Sequence, residues 1–495
     1  MNPTIKISKL SKSIFSLLKI LGFSSIIVTS FLACNNPAKT EESAATTDSL
    51  MVKLDSDQVA NIVKRSYQYV ALYNVINKFA MDESGPFCSK GWNKIYKATS
   101  LANADTRSIA RPNNDTYYEI ANLDLRNDAV VLEIPAFDSK FVSLETSAYD
   151  HYVGIPLSTT KGDYKKPVKV LFYTSRTKGY KIGDKVAGID NYVEMSGDFV
   201  TAFHRLMPES NNPAKHAIIL KQLNELNAVT LSQFLKKPAT DSSMAQFPAY
   251  GTTDADVFGG NLLEVMQFVF NHSTFDPTDS LDNALLAAYK PLGIEPGKEY
   301  DASKAAKIDT ALFRKVSLEV KAANLGIMED PKLALQLLFQ AFQPKGHIDL
   351  QTLVFQSIIG PIGQPATEAL YPPVNTADGK PMNAMNDYVV RMTKTELPPA
   401  KAFWSLTLYD TKNGFFIPNK ENKYSVGENA GYKLDKDGGI TIYVSSEKPA
   451  GVPAENWLPT NRIDQGLSLM LRIYAPDLSK VKTWKAPKAE LISKK

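Results

Sequence analysis

After Asp55 the apolar positions Val59, Ile62, Val63, Tyr67, Val70, Val75, Ile76 and Phe79 recur every three or four residues. That period is helical. Asp55 followed three positions later by Gln58 has the form of a capping box, so a helix of about 25 residues is expected to open the body. From about residue 95 to 205 the period shortens. Residues 130–135, 141–145 and 168–173 are short apolar or alternating runs, separated by turn residues at 126–128, 138–139 and 161–163. This is all-β patterning at the spacing of a sandwich. The helical period returns between about 206 and 360, in segments at 262–269, 281–289, 311–323 and 333–342, broken at Pro291, Gly293, Pro296-Gly297 and Pro331. From about 365 to 490 alternation takes over again. Trp404, Leu406 and Leu408 share one face, as do Leu467, Leu469, Leu471 and Ile473. Residues 432–434 and 440–444 flank Asp437-Gly438-Gly439, which reads as a hairpin. The expected class is mainly β with a substantial helical part, an α+β multi-domain chain: sandwich over 55–205, helical region over 206–360, sandwich over 361–495.

The amino terminus has a different character. Residues 1–33 carry Lys6, Lys9, Lys12 and Lys19 and no acidic residue, and residues 20–33 are mostly apolar. That run is shorter than the roughly 20 residues a spanning helix needs, and reads as a secretory signal. It ends Phe31-Leu32-Ala33-Cys34, which looks like the lipobox of bacterial lipoproteins, with Phe31 in place of the usual Leu. The expectation is a cleaved signal peptide, lipidation of Cys34, a polar flexible tether over 34–54, and a membrane-anchored protein of the cell envelope, on the periplasmic face or the cell surface. The alternative is a plain secretory signal with a chance cysteine.

Charge and cysteine use narrow the function. Lys and Arg number 56 against 52 Asp and Glu; removing the four leader lysines leaves 52 against 52. A neutral chain argues against a nucleic-acid partner. With Cys34 acylated only Cys88 remains, which excludes an internal disulfide and a thiolate metal cluster, and Cys88 reads as a packed thiol.

The run Arg111-Pro112-Asn113-Asn114-Asp115-Thr116-Tyr117-Tyr118, then Leu123-Asp124-Leu125 and the strand at 130–135, resembles the signature of the family called "domain of unknown function 1254". The segment 402–410, then 422–427, then Asn456-Trp457-Leu458-Pro459, resembles its usual partner, "domain of unknown function 1214". The resemblance spans roughly residues 55–490. It implies an immunoglobulin-like sandwich, a helical region and a jelly-roll-like sandwich, and no known reaction. The chain departs from the family pattern at Tyr149-Asp150-His151-Tyr152, which adds an imidazole, and at residues 360–365, where an Asn-rich run is expected.

No nucleophile elbow, zinc-protease helix, phosphate loop or dinucleotide fingerprint is present, no two of the five histidines sit at metal-ligand spacing, and no cofactor or metal is expected. Asp435-x-Asp437-Gly438 and Asn375-x-x-Asp378-Gly379 read as turns rather than calcium loops. The candidate catalytic cluster is Arg111, Asp115, Asp150 and His151: a carboxylate orients His151 as general base, and Arg111 holds a carboxylate or an oxyanion. Asn113, Asn114 and Tyr117 join it as ligand contacts, with Trp457 and Arg472 from the second sandwich. Against this stands a purely structural reading, in which 113–115 cap a turn and Arg111 pairs with Asp115. Trp404, by its phase, belongs to the core, and His204-Arg205 reads as a partly buried polar pair without an assigned role. Three functions remain open: a lipid-tethered receptor for a small organic or carbohydrate ligand, a cofactor-independent hydrolase-like enzyme, and an envelope scaffold.

Overall fold

The computed structural model describes residues 52–494, apart from Ser108 and residues 240–242. Cys34, the leader and most of the 34–54 tether lie outside the described residues. Residues 50–495 form one unit.

The opening helix is Ser56–Met81, and its capping box is present: Gln58 N donates to Asp55 Oδ1 at 2.8 Å and Asp55 N donates to Gln58 Oε1 at 3.0 Å. Its apolar stripe is buried against helices Leu262–His272, Ser280–Tyr289, Thr310–Gly326 and Leu350–Ile359. Among the described residues no helix is long and apolar enough to cross a membrane.

The first sandwich has a front sheet in the order Lys94–Lys97, Tyr117–Asp124, Phe199–Leu206, Val142–Ala148 and Gly154–Ser158, antiparallel throughout. Its back sheet runs Asn191–Glu194, Val168–Tyr173, Val130–Ile134 and Asn227–Thr230. The last of these strands lies inside the stretch expected to be helical, and completes the back sheet by pairing with Val130–Ile134. Val130, Leu132, Val142, Leu144, Val170, Phe172, Val200 and Ala202 fill the space between the sheets.

The second sandwich is built the same way. Strands Ala400–Asp410 and Gly466–Pro476 form its main ladder, with Ser425–Gly427 on one side and short segments at 369–370, 373–374 and 382–383 on the other. Facing it lies the sheet Trp457–Pro459, Ile440–Ser445, Asn386–Met392 and Ala489–Lys494. Trp404, Leu406, Leu408, Leu469, Leu471 and Ile473 point into this core, in the phase the sequence sets. The expected hairpin does not form. Gly438 turns the chain at φ +84°, and Asp435 N donates to Gly439 O at 2.8 Å. Residues 432–434, however, make no strand, because Asn456 takes their backbone: Lys433 N donates to Asn456 Oδ1 at 2.8 Å and Asn456 Nδ2 donates to Lys433 O at 2.7 Å. Strand Ile440–Ser445 pairs with Asn386–Met392 and Trp457–Pro459 instead.

A strand shows opposite faces at successive residues, and here both faces of each main ladder are buried. The outer face of the front sheet carries Tyr118, Ile120, Ser143, Glu145, Phe203 and Arg205, all buried. The outer face of the second ladder carries Phe403, Ser405, Thr407, Tyr409, Met470, Arg472 and Tyr474, also buried. These faces meet: Phe141 lies 5.2 Å from Tyr474 and 6.2 Å from Phe403, and Tyr118, Ile120 and Phe203 share a cluster with Tyr409 and Met470. The mixed α+β architecture is therefore two sandwiches back to back, flanked by helices.

Candidate functional site between the sandwiches

The segment before the Tyr117–Asp124 strand enters this interface. Asn113 Oδ1 accepts from Asp115 N at 2.9 Å and Thr116 N at 2.8 Å, so the turn expected here is present. Asn114 ties neighbouring loops together: its Nδ2 donates to Ala102 O at 2.6 Å and its Oδ1 accepts from Ser425 Oγ at 3.2 Å. The turn drives Asp115 into the second sandwich, where its Oδ2 accepts from Ser405 Oγ at 2.6 Å and Tyr474 Oη at 3.0 Å. Burial raises the Asp115 carboxyl above its usual range; Arg472 and the two hydroxyls pull it back.

Arg111 is not paired with Asp115. Its guanidinium donates from Nη1 to Ile359 O at 3.2 Å, while its own carbonyl accepts from Arg472 Nη2 at 2.8 Å. Arg472 Nη1 donates to Thr407 Oγ1 at 2.9 Å. The guanidinium beside Asp115 is thus that of Arg472, from a strand 361 positions beyond Arg111. The third arginine is Arg205. Its Nη2 donates to Glu145 Oε2 at 3.3 Å and to Ile362 O at 3.0 Å, its guanidinium lies over the rings of Phe203 and Tyr118, and its buried Nε has no partner among the described residues. Burial lifts the Glu145 carboxyl to about 7 even though Arg205 opposes the rise.

Arg111, Arg205 and Arg472 line one cavity of about 40 Å³, enclosed otherwise by Asn113, Tyr118, Tyr371 and an apolar wall that includes Phe342, Ile359 and Met470. That volume is room for two or three waters, or for the head of a small ligand. Half-buried Arg111 and Gly360–Ile362 carry the wall toward the surface. The backbone around it is strained: Arg111 at φ +52°, Phe342 at +58° and His151 at +60° occupy the left-handed region. Such conformations cost roughly 1–3 kcal/mol each and persist where the surroundings enforce them. The enforcing group for two of them is Gln356, whose Oε1 accepts from Phe342 N at 2.6 Å and whose Nε2 donates to His151 O at 3.0 Å. Gly363 has no such conformational need; a Cβ there would lie 2.2 Å from the Phe342 ring. Gly363→Ala is expected to destabilise the protein by about 1–3 kcal/mol through that overlap. A urea titration reads it, and an unchanged midpoint would contradict the packing.

The general-base arrangement expected at His151 is not formed. His151 is fully buried, its Nδ1 faces Ser357 Oγ at 2.8 Å rather than a carboxylate, and the other polar group acting on the ring is the backbone of Pro361. Burial lowers the imidazole to about 3, so it is neutral at physiological pH. Asp150, adjacent in sequence, is likewise buried, and burial lifts it to about 6 against the opposing pull of the Ser196 side chain and the Tyr152 backbone. Asp115 makes its contacts with the second sandwich and reaches neither. Tyr117 points into the first sandwich, where its hydroxyl meets His216 Nε2 at 2.8 Å; one residue on, Tyr118 faces the cavity. Trp457 and Arg472 are not brought together either. Trp457 lies in the far sheet, with Nε1 donating to Ser445 O at 3.0 Å. The residues that sequence reasoning missed are Tyr118, Glu145, Arg205, Gly363 and Tyr371.

The fold and this chamber define a class: two β-sandwiches set back to back, closing between them a mainly apolar cavity edged by arginines. Family models match in tandem, "Protein of unknown function (DUF1254)" over residues 92–222 and "Protein of unknown function (DUF1214)" over residues 368–478. The chain therefore belongs with the proteins that pair these two domains. None of the curated proteins compared with it matches. Among solved structures it is similar to the VPA0106 protein from Vibrio parahaemolyticus, at TM-score 0.63 and 21% identity, covering 88% of this chain and 100% of that one. A putative uncharacterized protein from Burkholderia cenocepacia matches at TM-score 0.39 and 14% identity, covering 88% and 94%. The likeness to the Vibrio protein is one of fold.

Proposed function

We propose that this chain is a lipid-anchored protein of the bacterial envelope that binds a small organic ligand in the cavity between its sandwiches. The observation that carries the reading is the Nε–H of Arg205, a buried donor without a partner among the described residues, in the wall of a strained cavity. An unmet buried donor costs about 1–3 kcal/mol, more when charged. A scaffold gains nothing from keeping one, whereas a binding site spends it on its ligand. The hydrolase reading loses its support with the unassembled His151 base. A sugar platform at Trp457 loses its support with the indole N–H already bonded to Ser445.

Thermal-shift titration of the purified full chain with a panel of small acids, amides and sugars tests the proposal, because a ligand of the folded state raises the melting temperature saturably. The rise is expected to persist in Trp457→Ala and to vanish in Ala110→Trp, which places a large ring at the cavity rim. A shift lost in Trp457→Ala and kept in Ala110→Trp would overturn it. For the anchor, Cys34→Ser is expected to leave the membrane fraction; retention there without fatty-acid labelling would contradict it.

A further inference from the structure

We propose, resting on that binding reading, that the ligand is a small monocarboxylate, which competes with Glu145 for Arg205 and takes up a proton as it binds. The charge inventory points to the class. Three guanidiniums, Arg111, Arg205 and Arg472, surround the cavity, and each has a carboxylate acting on it: Asp410 on Arg111, Glu145 on Arg205 and Asp115 on Arg472. Three against three is balanced; once Glu145 takes a proton, Arg205 is left without its anion, and a single carboxylate restores the balance.

The donors are unequally occupied, and this locates the head group. Arg472 is committed to Thr407 and to the carbonyl of Arg111. Arg111 makes one side-chain hydrogen bond among the described residues. Arg205 has a free Nε and holds Glu145 only at 3.3 Å, long for a charge-assisted bond. Arg205 therefore offers an incoming carboxylate one unused donor and one that Glu145 holds loosely. The apolar wall of Phe342, Ile359 and Met470 receives the organic remainder.

An anion on Arg205 stands beside Glu145, and two adjacent negative charges disfavour each other, so one takes a proton. The groups around Glu145 leave it as the acceptor. Arg205 is its ion-pair partner, and the Gly363 amide donates to it from the 360–365 segment. Tyr371, a few residues beyond that segment, and Tyr474 from the second ladder are pushed up by burial and stay neutral, and Tyr118 lies under Arg205. His151, behind Phe342, is neutral too. Asp115 is held by Ser405, Tyr474 and Arg472 on the far side. Glu145, already near 7, is the group whose proton follows the ligand.

Isothermal titration calorimetry on the full chain decides it, with sodium acetate and sodium benzoate as probes and acetamide and benzamide as neutral isosteres, at pH 6 and pH 8. The carboxylates are expected to bind, up to about tenfold tighter at pH 6 than at pH 8, and the amides not to bind. Glu145→Gln, which keeps the volume of the protonated acid, is expected to bind the carboxylates with no pH dependence. Arg205→Gln is expected to abolish binding, and Glu145→Gln carries the test should that variant fail to fold. Amides that bind as well as the acids, with Ala110→Trp blocking both, would overturn the carboxylate class and leave cavity binding standing. Carboxylate binding that is equally pH-dependent in Glu145→Gln would overturn the proton acceptor. Heats that Ala110→Trp leaves unchanged would overturn the cavity itself.

Discussion

Arg472→Leu is expected to lower the stability of this protein by about 3–5 kcal/mol, the cost of leaving a buried charge without its counter-ion. Asp115 is 1% exposed, and Arg472 is the guanidinium that offsets its burial. The same side chain holds the carbonyl of Arg111 and so fixes a backbone that sits at φ +52°. Removing it costs both the charge balance and the restraint on a strained residue. Urea unfolding at pH 7 gives the number. Arg472→Leu combined with Asp115→Asn is expected to recover part of the loss, because the orphaned charge is then gone. A single-variant loss below about 1 kcal/mol would show that Asp115 is satisfied by Ser405 and Tyr474 alone, since a hydrogen bond contributes about that much.

Glu145→Gln is expected to change stability in a strongly pH-dependent way. A carboxyl raised on folding from 4.5 to about 7 contributes stability that is fully present below pH 4.5 and is lost as pH rises through 7. The loss corresponds to about 3 kcal/mol at 1.36 kcal/mol per pH unit. Gln resembles the protonated acid and does not titrate. The variant is therefore expected to gain on the natural protein by up to about that amount between pH 4.5 and 7.5, and to hold the gain above. Asp150, raised to about 6, loses stability in the same direction, while His151, lowered to about 3, loses it as pH falls from 6.5. Both titrate in either protein, so the difference between the two curves isolates Glu145. Parallel melting-temperature curves from pH 4.5 to 8 would show that Glu145 titrates normally.

What the sequence made legible follows from which contacts are local. The helix at Ser56–Met81 was readable because its cap and its stripe lie within the helix itself. The strands at 404–410 and 467–474 were readable because alternation needs only one buried face, and Trp404 fell in the core as its phase required. The cavity was not readable in the same way. Arg205 and Glu145 occupy positions that, in an isolated sandwich, point to water, and nothing in a period of two shows that another domain covers them. Their pairing spans 60 residues, and the hydrogen bond of Arg472 to Arg111 spans 361. Arg111 and Asn113, from the Arg-Pro-Asn-Asn-Asp motif, and Arg472, from the expected ligand face of the second sandwich, do line the cavity. Tyr117 was chosen where Tyr118 reaches it, an error of one residue that reverses the face. His151 was read as a base because an imidazole beside an aspartate suggests one; burial, which no local pattern reports, makes it neutral and places it on Ser357. The hairpin failed for a similar reason, since Asn456 competes for the backbone from 23 residues away.

Amide hydrogen exchange of the full chain, with and without saturating sodium benzoate, is the most direct measurement of whether the space between the sandwiches is a binding site. Protection is expected to rise in residues 109–116 and 359–371, both of which contribute to the cavity wall, and to stay unchanged around Trp457. Protection confined to the Trp457 sheet, or none at saturation, would contradict it.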